Sequence, residues 1–244
     1  MDLLDSVRRY WDVDAETYDR SPDHGAASPT ERAAWTAALS RLLPPPEARV
    51  LDVGAGTGFL SLAAARLGYR VTALDLSQGM LGRLREAAQR EGLEVEVVEG
   101  SAEQPPDGPF DAVMERHLLW TLPDPSAALA AWRQVAPRGR LVLFEGIWGH
   151  GDPFESLRHR AREGWRKLRR EPDHHHAHYD PAMVAELPLA AGAHPDQVVR
   201  LVEEAGWAPA RLERLRDVEW AQLLSRSAAD RLLGVPPRYA ISAG

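Results

Sequence analysis

Cysteine is absent from the 244 residues, which removes disulfide staples and thiolate nucleophiles together. Long apolar runs are also missing: none approaches the roughly 20 residues that a membrane span needs. The opening Met1-Asp2-Leu3-Leu4-Asp5-Ser6 is too short and too acidic for a signal peptide, so the expected location is cytoplasmic. Positive charge is in deficit, with a net charge of −7. This argues against a sequence-independent hold on nucleic acid, which rests on Lys and Arg neutralising phosphates. Internal repeats and low-complexity tracts are lacking too. What remains is 44% apolar and 27% charged, ordinary usage for one large α/β domain that buries its core without staples.

The apolar run Val50-Leu51-Asp52-Val53 leads into Gly54-Ala55-Gly56-Thr57-Gly58. Glycines on alternate positions at the end of a β-branched run let the backbone turn sharply and bring a ligand closer than a Cβ would permit. The spacing constrains that ligand. A dinucleotide turn needs Gly-x-Gly-x-x-Gly, and its third glycine would fall on Phe59. The lysine of a Gly-x-x-x-x-Gly-Lys phosphate loop is missing as well.

Asp52 to Gly58 meets in full the Asp-x-Gly-x-Gly-x-Gly pattern of motif I in class I S-adenosylmethionine-dependent methyltransferases, and the resemblance continues downstream. Val71-Thr72-Ala73-Leu74-Asp75 resembles the family's second strand, whose terminal acid holds the ribose hydroxyls. Asp75 lies 17 residues past Gly58, near the roughly 20-residue interval of a βαβ nucleotide site. Val97-Val98-Glu99-Gly100-Ser101-Ala102 is similar to the adenine-binding turn, with Ser101 in place of the usual aspartate, a change that weakens the contact to the adenine amino group. Phe110 to Pro125 and Ala136 to Glu145 resemble the fourth strand with its Leu-Pro-Asp-Pro exit and the fifth strand with its turn. The small-molecule subgroup similar to ubiquinone and menaquinone biosynthesis methyltransferases fits best.

The resemblance implies S-adenosylmethionine as cofactor. It places the contacts on Gly54, Ala55, Gly56, Gly58, Asp75, Leu76, Met80, Ser101, Ala102 and Glu115. Tyr10-Trp11-Asp12 and Tyr18-Asp19 resemble an amino-terminal segment that closes over that cofactor in the subgroup. Tyr10 and Tyr18 either shield the sulfonium with their ring faces or pack on the sheet.

Strands are expected at about 49–53, 70–75, 94–99, 110–115 and 140–145, alternating with helices at about 57–67, 78–91 and 124–136. This is the pattern of a parallel sheet with helices on both faces. Ser28-Pro29 opens an earlier helix that ends at Pro44, and Gly68 caps another. A helix at 194–205 and strand candidates at about 210–221 and 237–242 follow. The expected architecture is a Rossmann-like, mostly parallel seven-stranded sheet in a single domain. Residues 1–46 form an amino-terminal helical lid, 47–146 the cofactor-binding core, 147–193 an insertion on the substrate side, and 194–244 the final helix and strands.

Ligands of open α/β sheets sit where the strand order reverses, so the glycine loop and Glu115-Arg116-His117 should face one crevice. Methyl transfer needs alignment and exclusion of water rather than a nucleophilic side chain. A hydroxyl acceptor benefits from a base, which makes His117 and His24 the catalytic candidates, whereas a neutral amine needs only positioning. His117 alternatively packs against the next helix. His174-His175-His176-Ala177-His178-Tyr179-Asp180 reads as a solvated loop, a pocket wall using His178 and Tyr179, or a metal set. Adjacent histidines converge poorly on one ion, and no metal is assigned. Arg158, Arg160, Arg162, Arg166, Lys167, Arg169 and Arg170 surround an apolar stripe at Leu157, Ala161, Trp165 and Leu168. An amphipathic helix laid on the sheet domain is expected there, with a lid attracting an anionic substrate as the alternative.

The function expected is methyl transfer to an O or N atom of a small metabolite, with neither nucleic acid nor membrane as partner. The alternatives are a nicotinamide-dependent oxidoreductase and a non-catalytic cofactor-binding protein.

Overall fold

The computed structural model describes residues 3–20, 24–26, 28–146, 157–158, 160–162, 164–165, 179–190 and 192–244. The chain opens with α1 (Leu3–Asp14) and α2 (Pro29–Leu42), then runs β1 (Arg49–Val53), α3 (Phe59–Arg66), β2 (Arg70–Asp75), α4 (Gln78–Glu91), β3 (Val95–Glu99), β4 (Ala112–Arg116), α5 (Pro125–Val135) and β5 (Arg140–Gly146). Late in the insertion comes α6 (Pro181–Glu186), and after it α7 (Pro195–Glu204), β6 (Ala210–Arg214), α8 (Arg216–Ser225), α9 (Ala228–Leu233) and β7 (Arg238–Ala243). The seven strands form one sheet in the order β3-β2-β1-β4-β5-β7-β6. β1 to β5 are parallel, and β7 runs antiparallel between β5 and β6.

Both faces of the sheet are covered, which explains why its central strands read as continuous apolar runs rather than alternating ones. Alternate residues serve opposite cores. Leu51, Val113 and Leu141 pack with Leu129 and Trp132 of α5 and with Val202 of α7, whereas Val50, Met114 and Val142 pack with Trp35 and Leu39 of α2 and with Val218 of α8. The buried indoles keep their polar ends satisfied: Trp132 Nε1 donates to Ala102 O at 2.7 Å and Trp207 Nε1 to Leu129 O at 2.9 Å.

Helix starts follow local chemistry. Ser28, Ser77 and Asp124 each accept the backbone N–H three residues on, and proline occupies the first turn of α2 and α5. The expected strand at 210–221 holds only to Arg214. From there Leu215, Val218 and Gln222 are buried at helical spacing, and the segment turns into α8 because that stripe packs on the second core. The short helices α6 and α9 were not expected. Within the insertion, the described residues between 157 and 165 are helical, but Leu157 is 60% exposed. The Leu157 end of the expected apolar stripe is therefore not laid on the sheet, Trp165 is half-buried, and Leu168 lies outside the described residues. This segment instead meets α9 through polar contacts, with Trp165 Nε1 donating to Asp230 Oδ1 at 3.0 Å and Arg162 to Leu233 O at 3.2 Å.

The amino-terminal segment is held down by acids. Asp12 Oδ1 accepts Ser77 Oγ–H at 2.7 Å and Gly79 N–H at 3.0 Å, so the end of α1 supplies a cap to α4. The approach is close: a Cβ on Gly79 would lie 2.8 Å from the Asp12 carbonyl oxygen. Gly79→Ala gains up to about 1 kcal/mol in helix propensity but meets an overpacking cost of about 1–3 kcal/mol. The expected outcome is detachment of α1, read as faster hydrogen exchange over residues 3–14 with unchanged protection in β1 and β4.

Candidate functional site

The order of strands reverses between β2 and β4 on either side of β1, and the loops leaving β1 and β4 diverge there. The main cavity of the protein opens at this point. Gly54, Gly56, Asp75, Met80, Ser101 and His117 line it, as do Leu76, Ala102 and Tyr18.

Two loop glycines serve different needs. Gly54 sits at φ +67°, and a Cβ there would lie 2.7 Å from Leu118 Cδ1, so the Leu118 side chain that follows β4 closes down on it. Gly56 sits at φ +57° with nothing within 4 Å of its missing Cβ. Gly56 lines the cavity, so the open space above it is part of that cavity. Gly58 is the left-handed residue that starts α3.

Asp75 ends β2 with one carboxyl oxygen on this loop and the other on the turn that follows β2. Oδ2 accepts Gly56 N–H at 2.7 Å and Oδ1 accepts Ser77 N–H at 2.8 Å. Burial raises its pKa, and the amide bonds act in the opposite direction. A carboxylate oxygen has two acceptor sites, so each keeps capacity for a further donor. Met80 is buried on the cavity wall, and the Ser101 hydroxyl accepts Glu103 N–H at 3.2 Å.

The N-terminal aromatics divide. Tyr18 lines the cavity and stacks on His24, with centroids 3.8 Å apart at 16°. Next to it, Asp19 Oδ1 accepts the Thr57 hydroxyl at 2.7 Å, which latches this segment to the glycine loop. Trp11 also lines the cavity, whereas Tyr10 turns away to stack on Tyr179, with centroids 3.9 Å apart at 20°. Tyr179 meets Trp120 edge-on at 5.2 Å.

Arg116 and Trp11, which the sequence placed near the crevice without giving either a role, line the cavity together with Thr121, which it did not single out. Arg116 lines both the main cavity and a smaller adjoining hollow bounded by Asp52, Ala55, Thr57 and Phe59. Its guanidinium lies 4.0 Å from the centre of the Phe59 ring and donates to His24 O at 2.8 Å. A signal was available: it is a cation at the carboxyl end of a central strand, next to the histidine that drew attention.

The two histidines differ in what their nitrogens do. His117 is a non-glycine residue at φ +60°. Arg238 Nη1 lies 2.9 Å from its Nε2, and guanidinium only donates. Nε2 is therefore the acceptor, and the ring proton sits on Nδ1, 3.3 Å from Glu145 Oε2. Burial first, then Arg238, Arg116 and His24, lower the His117 pKa well below the ordinary value. His24 points Nδ1 at Tyr18 O, 2.7 Å away, and so donates from that nitrogen, which leaves Nε2 as the basic atom of its ring. Glu115 is fully buried and does not line the cavity; its Oε2 accepts Leu118 N–H at 2.8 Å.

No group of three or more His, Cys, Asp or Glu side chains suited to a metal occurs among the described residues. His174, His175, His176 and His178, together with Arg166, Lys167, Arg169 and Arg170, lie outside the described residues. No helix among the described residues is long and apolar enough to cross a membrane.

Residues 51–143 match the family model described as a methyltransferase domain. The chain carries a class I S-adenosylmethionine-dependent methyltransferase domain. The methyltransferase match does not favour the nicotinamide alternative. The domain is 41% identical over 143 residues to a ubiquinone biosynthesis O-methyltransferase of Xanthomonas campestris, covering 56% of each chain. It is 39% identical over 111 residues to the protein of the same name from Xylella fastidiosa, covering 43% of this chain and 44% of that one. The chain thus aligns with about half the length of these curated relatives. Among solved structures, its fold is similar to magnesium protoporphyrin IX methyltransferase from Synechocystis PCC 6803, with TM-score 0.60, 17% identity and 99% of both chains covered. It is also similar to phosphoethanolamine N-methyltransferase 2 from Haemonchus contortus, with TM-score 0.63 and 16% identity over 100% of this chain and 60% of that one.

Under the loop of this methyltransferase domain, Asp52 is 1% exposed and accepts the Ser61 hydroxyl at 2.6 Å. Burial nevertheless pushes its pKa up to about 7. A carboxyl whose pKa is higher folded than unfolded binds more protons in the native state, so its contribution to stability falls as pH rises from about 4 to about 7. Asp52→Asn retains an oxygen to accept from Ser61 and no longer titrates. Urea unfolding across that window should show a shallower loss of stability in the variant than in the parent.

Proposed function

We propose that this protein transfers a methyl group from S-adenosylmethionine to a hydroxyl oxygen of a small molecule. The observation that carries the reading is the open space above Gly56, bounded by the Asp75 carboxylate, in a cavity that continues to Ser101 and Ala102 on one side and to Tyr18 and Arg116 on the other. The residues present fit an elongated nucleoside with an amino-acid tail. Asp75 has acceptor capacity for two ribose hydroxyls, Leu76 and Met80 supply apolar walls for a purine, and Ser101 and Ala102 bound the purine end. Arg116 offers a cation for a carboxylate at the opposite end. When bound, S-adenosylmethionine supplies an electrophilic methyl group on a positively charged sulfur.

The chain's own part is then alignment and exclusion of water. Trp11 and Tyr18 line the cavity, and aromatic rings there would shield a cation. The described part of the amino-terminal segment, with Leu4, Val7, Trp11 and Tyr18 on the cavity, acts as a cover. Asp12 and Asp19 hold it closed through Ser77, Gly79 and Thr57. Both nitrogens of His117 are engaged by Glu145 and Arg238. We assign the acceptor's proton to His24, whose ring stacks on the cavity residue Tyr18. Oxygen as the acceptor atom follows the O-methyltransferase relatives, whose catalytic name we extend to this chain.

The sulfur nucleosides should raise the melting temperature, with about 2.7 kcal/mol of added stability at 100 times the dissociation constant; a calorimetric isotherm with NAD but none with S-adenosylhomocysteine would sink the proposal. Asp75→Ala should weaken S-adenosylhomocysteine by about 1.5–3 kcal/mol, the range for hydrogen bonds to a charged partner. Arg116→Ala should weaken S-adenosylhomocysteine but leave 5′-methylthioadenosine, which lacks the amino-acid tail, unchanged. Equal losses for the two ligands would remove Arg116 from the carboxylate. With a hydroxyl acceptor in hand, His24→Ala should lower turnover by about 10²- to 10⁴-fold with little change in cofactor affinity.

A further inference from the structure

Behind the cavity wall, two buried carboxyls face each other across neighbouring strands. Glu115 on β4 is level with Leu143 of β5 in the parallel register, so Glu145 lies two residues further along and projects to the same side. Each uses one oxygen well. Glu115 Oε2 accepts Leu118 N–H, and Glu145 Oε2 faces His117 Nδ1. In each case the other oxygen, Oε1, is buried with no hydrogen-bond partner. Two ionised carboxylates left in this state would be costly, since an unpaired buried acceptor loses its hydration without compensation. A single proton between them satisfies both at once.

We infer that Glu115 and Glu145 share one proton and, with His117 and Arg238, form a positioning device that holds the corner carrying Leu118 against Gly54. The inference rests on the cofactor reading above for what that corner supports. His117 occupies a left-handed backbone conformation uncommon for its type, and its amide donates to Phe144 O at 3.2 Å. The side chain is gripped from both sides by Glu145 and Arg238. Arg238 is 2% exposed, and its backbone N–H donates to Glu219 Oε1 at 2.9 Å, which carries the grip to α8. Burial raises both carboxyls; Glu145 is pushed up to about 8, and the two are close enough to bond to one another.

The charged and titratable groups around the pair are Asp52 on β1, Arg116 and His117 at the end of β4, Arg238 on β7, Glu219 on α8, and His24 in the amino-terminal segment. The cations offset one negative charge. Loss of the shared proton puts a second charge in the same dry corner, and the Leu118–Gly54 contact at the base of the cofactor shelf loosens. S-adenosylhomocysteine affinity should therefore be constant up to about pH 8 and then weaken about tenfold per pH unit, the slope for one linked proton. In Glu145→Gln the side-chain amide donates to Glu115 in place of the proton, and its carbonyl accepts from His117. The corner stays closed and no longer titrates.

Two measurements test this. Infrared spectra of the ligand-free protein, with the glutamates isotopically labelled to separate them from Asp52, should show a protonated glutamate at neutral pH that disappears on alkaline titration and is absent from Glu145→Gln. Calorimetric titration with S-adenosylhomocysteine should show the alkaline loss of affinity in the parent and a flat profile in the variant, with neutral-pH affinities within about threefold. No protonated glutamate in the parent, or the same alkaline inflection in parent and variant, overturns the inference. If the variant does not fold, the infrared titration of the parent decides alone. Absence of S-adenosylhomocysteine binding at every pH overturns the cofactor reading instead, and the infrared result still decides whether the proton is shared.

Discussion

β1 pairs with β2 on one side and with β4 on the other, and the chain crosses to those two neighbours in opposite directions. The loops at their carboxyl ends consequently separate, and a crevice opens that backbone hydrogen bonds cannot close. Each element of the candidate site is a response to that opening. The glycine loop turns under it, Asp75 ties the loop to β2 through the Gly56 amide, and the Leu118 side chain that follows β4 closes down on Gly54. Moving β4 to the other edge of the sheet would leave the same residues with no common cavity.

Around the crevice the chain buries acids to an extent that its surface does not suggest. Asp52, Glu115 and Glu145 all have their carboxyls pushed upward by burial, as does Asp75. Backbone amides, the Ser61 hydroxyl and the guanidinium groups of Arg116 and Arg238 limit the cost. Burial pushes Asp52 up to about 7 and Glu145 up to about 8.

The amino-terminal segment is bound by a different logic. Its aromatic rings form walls, but acids set its position: Asp12 on the start of α4 and Asp19 on Thr57. Both are contacts to a helix end or a loop, and Val7 and Ala15 are buried alongside them. In the insertion, Leu157 is exposed and the described residues make polar contacts to α9.

Much of this was legible in the residues themselves. The boundaries of β1, β2, β5 and α4, the helix caps at Ser28 and Asp124, and the convergence of Gly54, Gly56, Asp75, Met80 and Ser101 follow from periodicity, turn chemistry and motif spacing. These are short-range properties, since backbone sterics and side-chain period act within a few residues. The switch from β6 to α8 was missed because a short apolar run reads equally well with either period until its packing partner is known. Trp11 rather than Tyr10 at the cavity, Arg116 between two hollows, and the Glu115–Glu145 pair with its clamp on His117 depend on contacts between residues 28 to 169 positions apart. Sequence alone determined which groups were present at the carboxyl end of the sheet and that a nucleoside shelf would form there. Only the tertiary structure decided which nitrogen of each histidine was occupied and which acids became dry, because desolvation and hydrogen-bond partnership belong to the folded neighbourhood and not to any one segment.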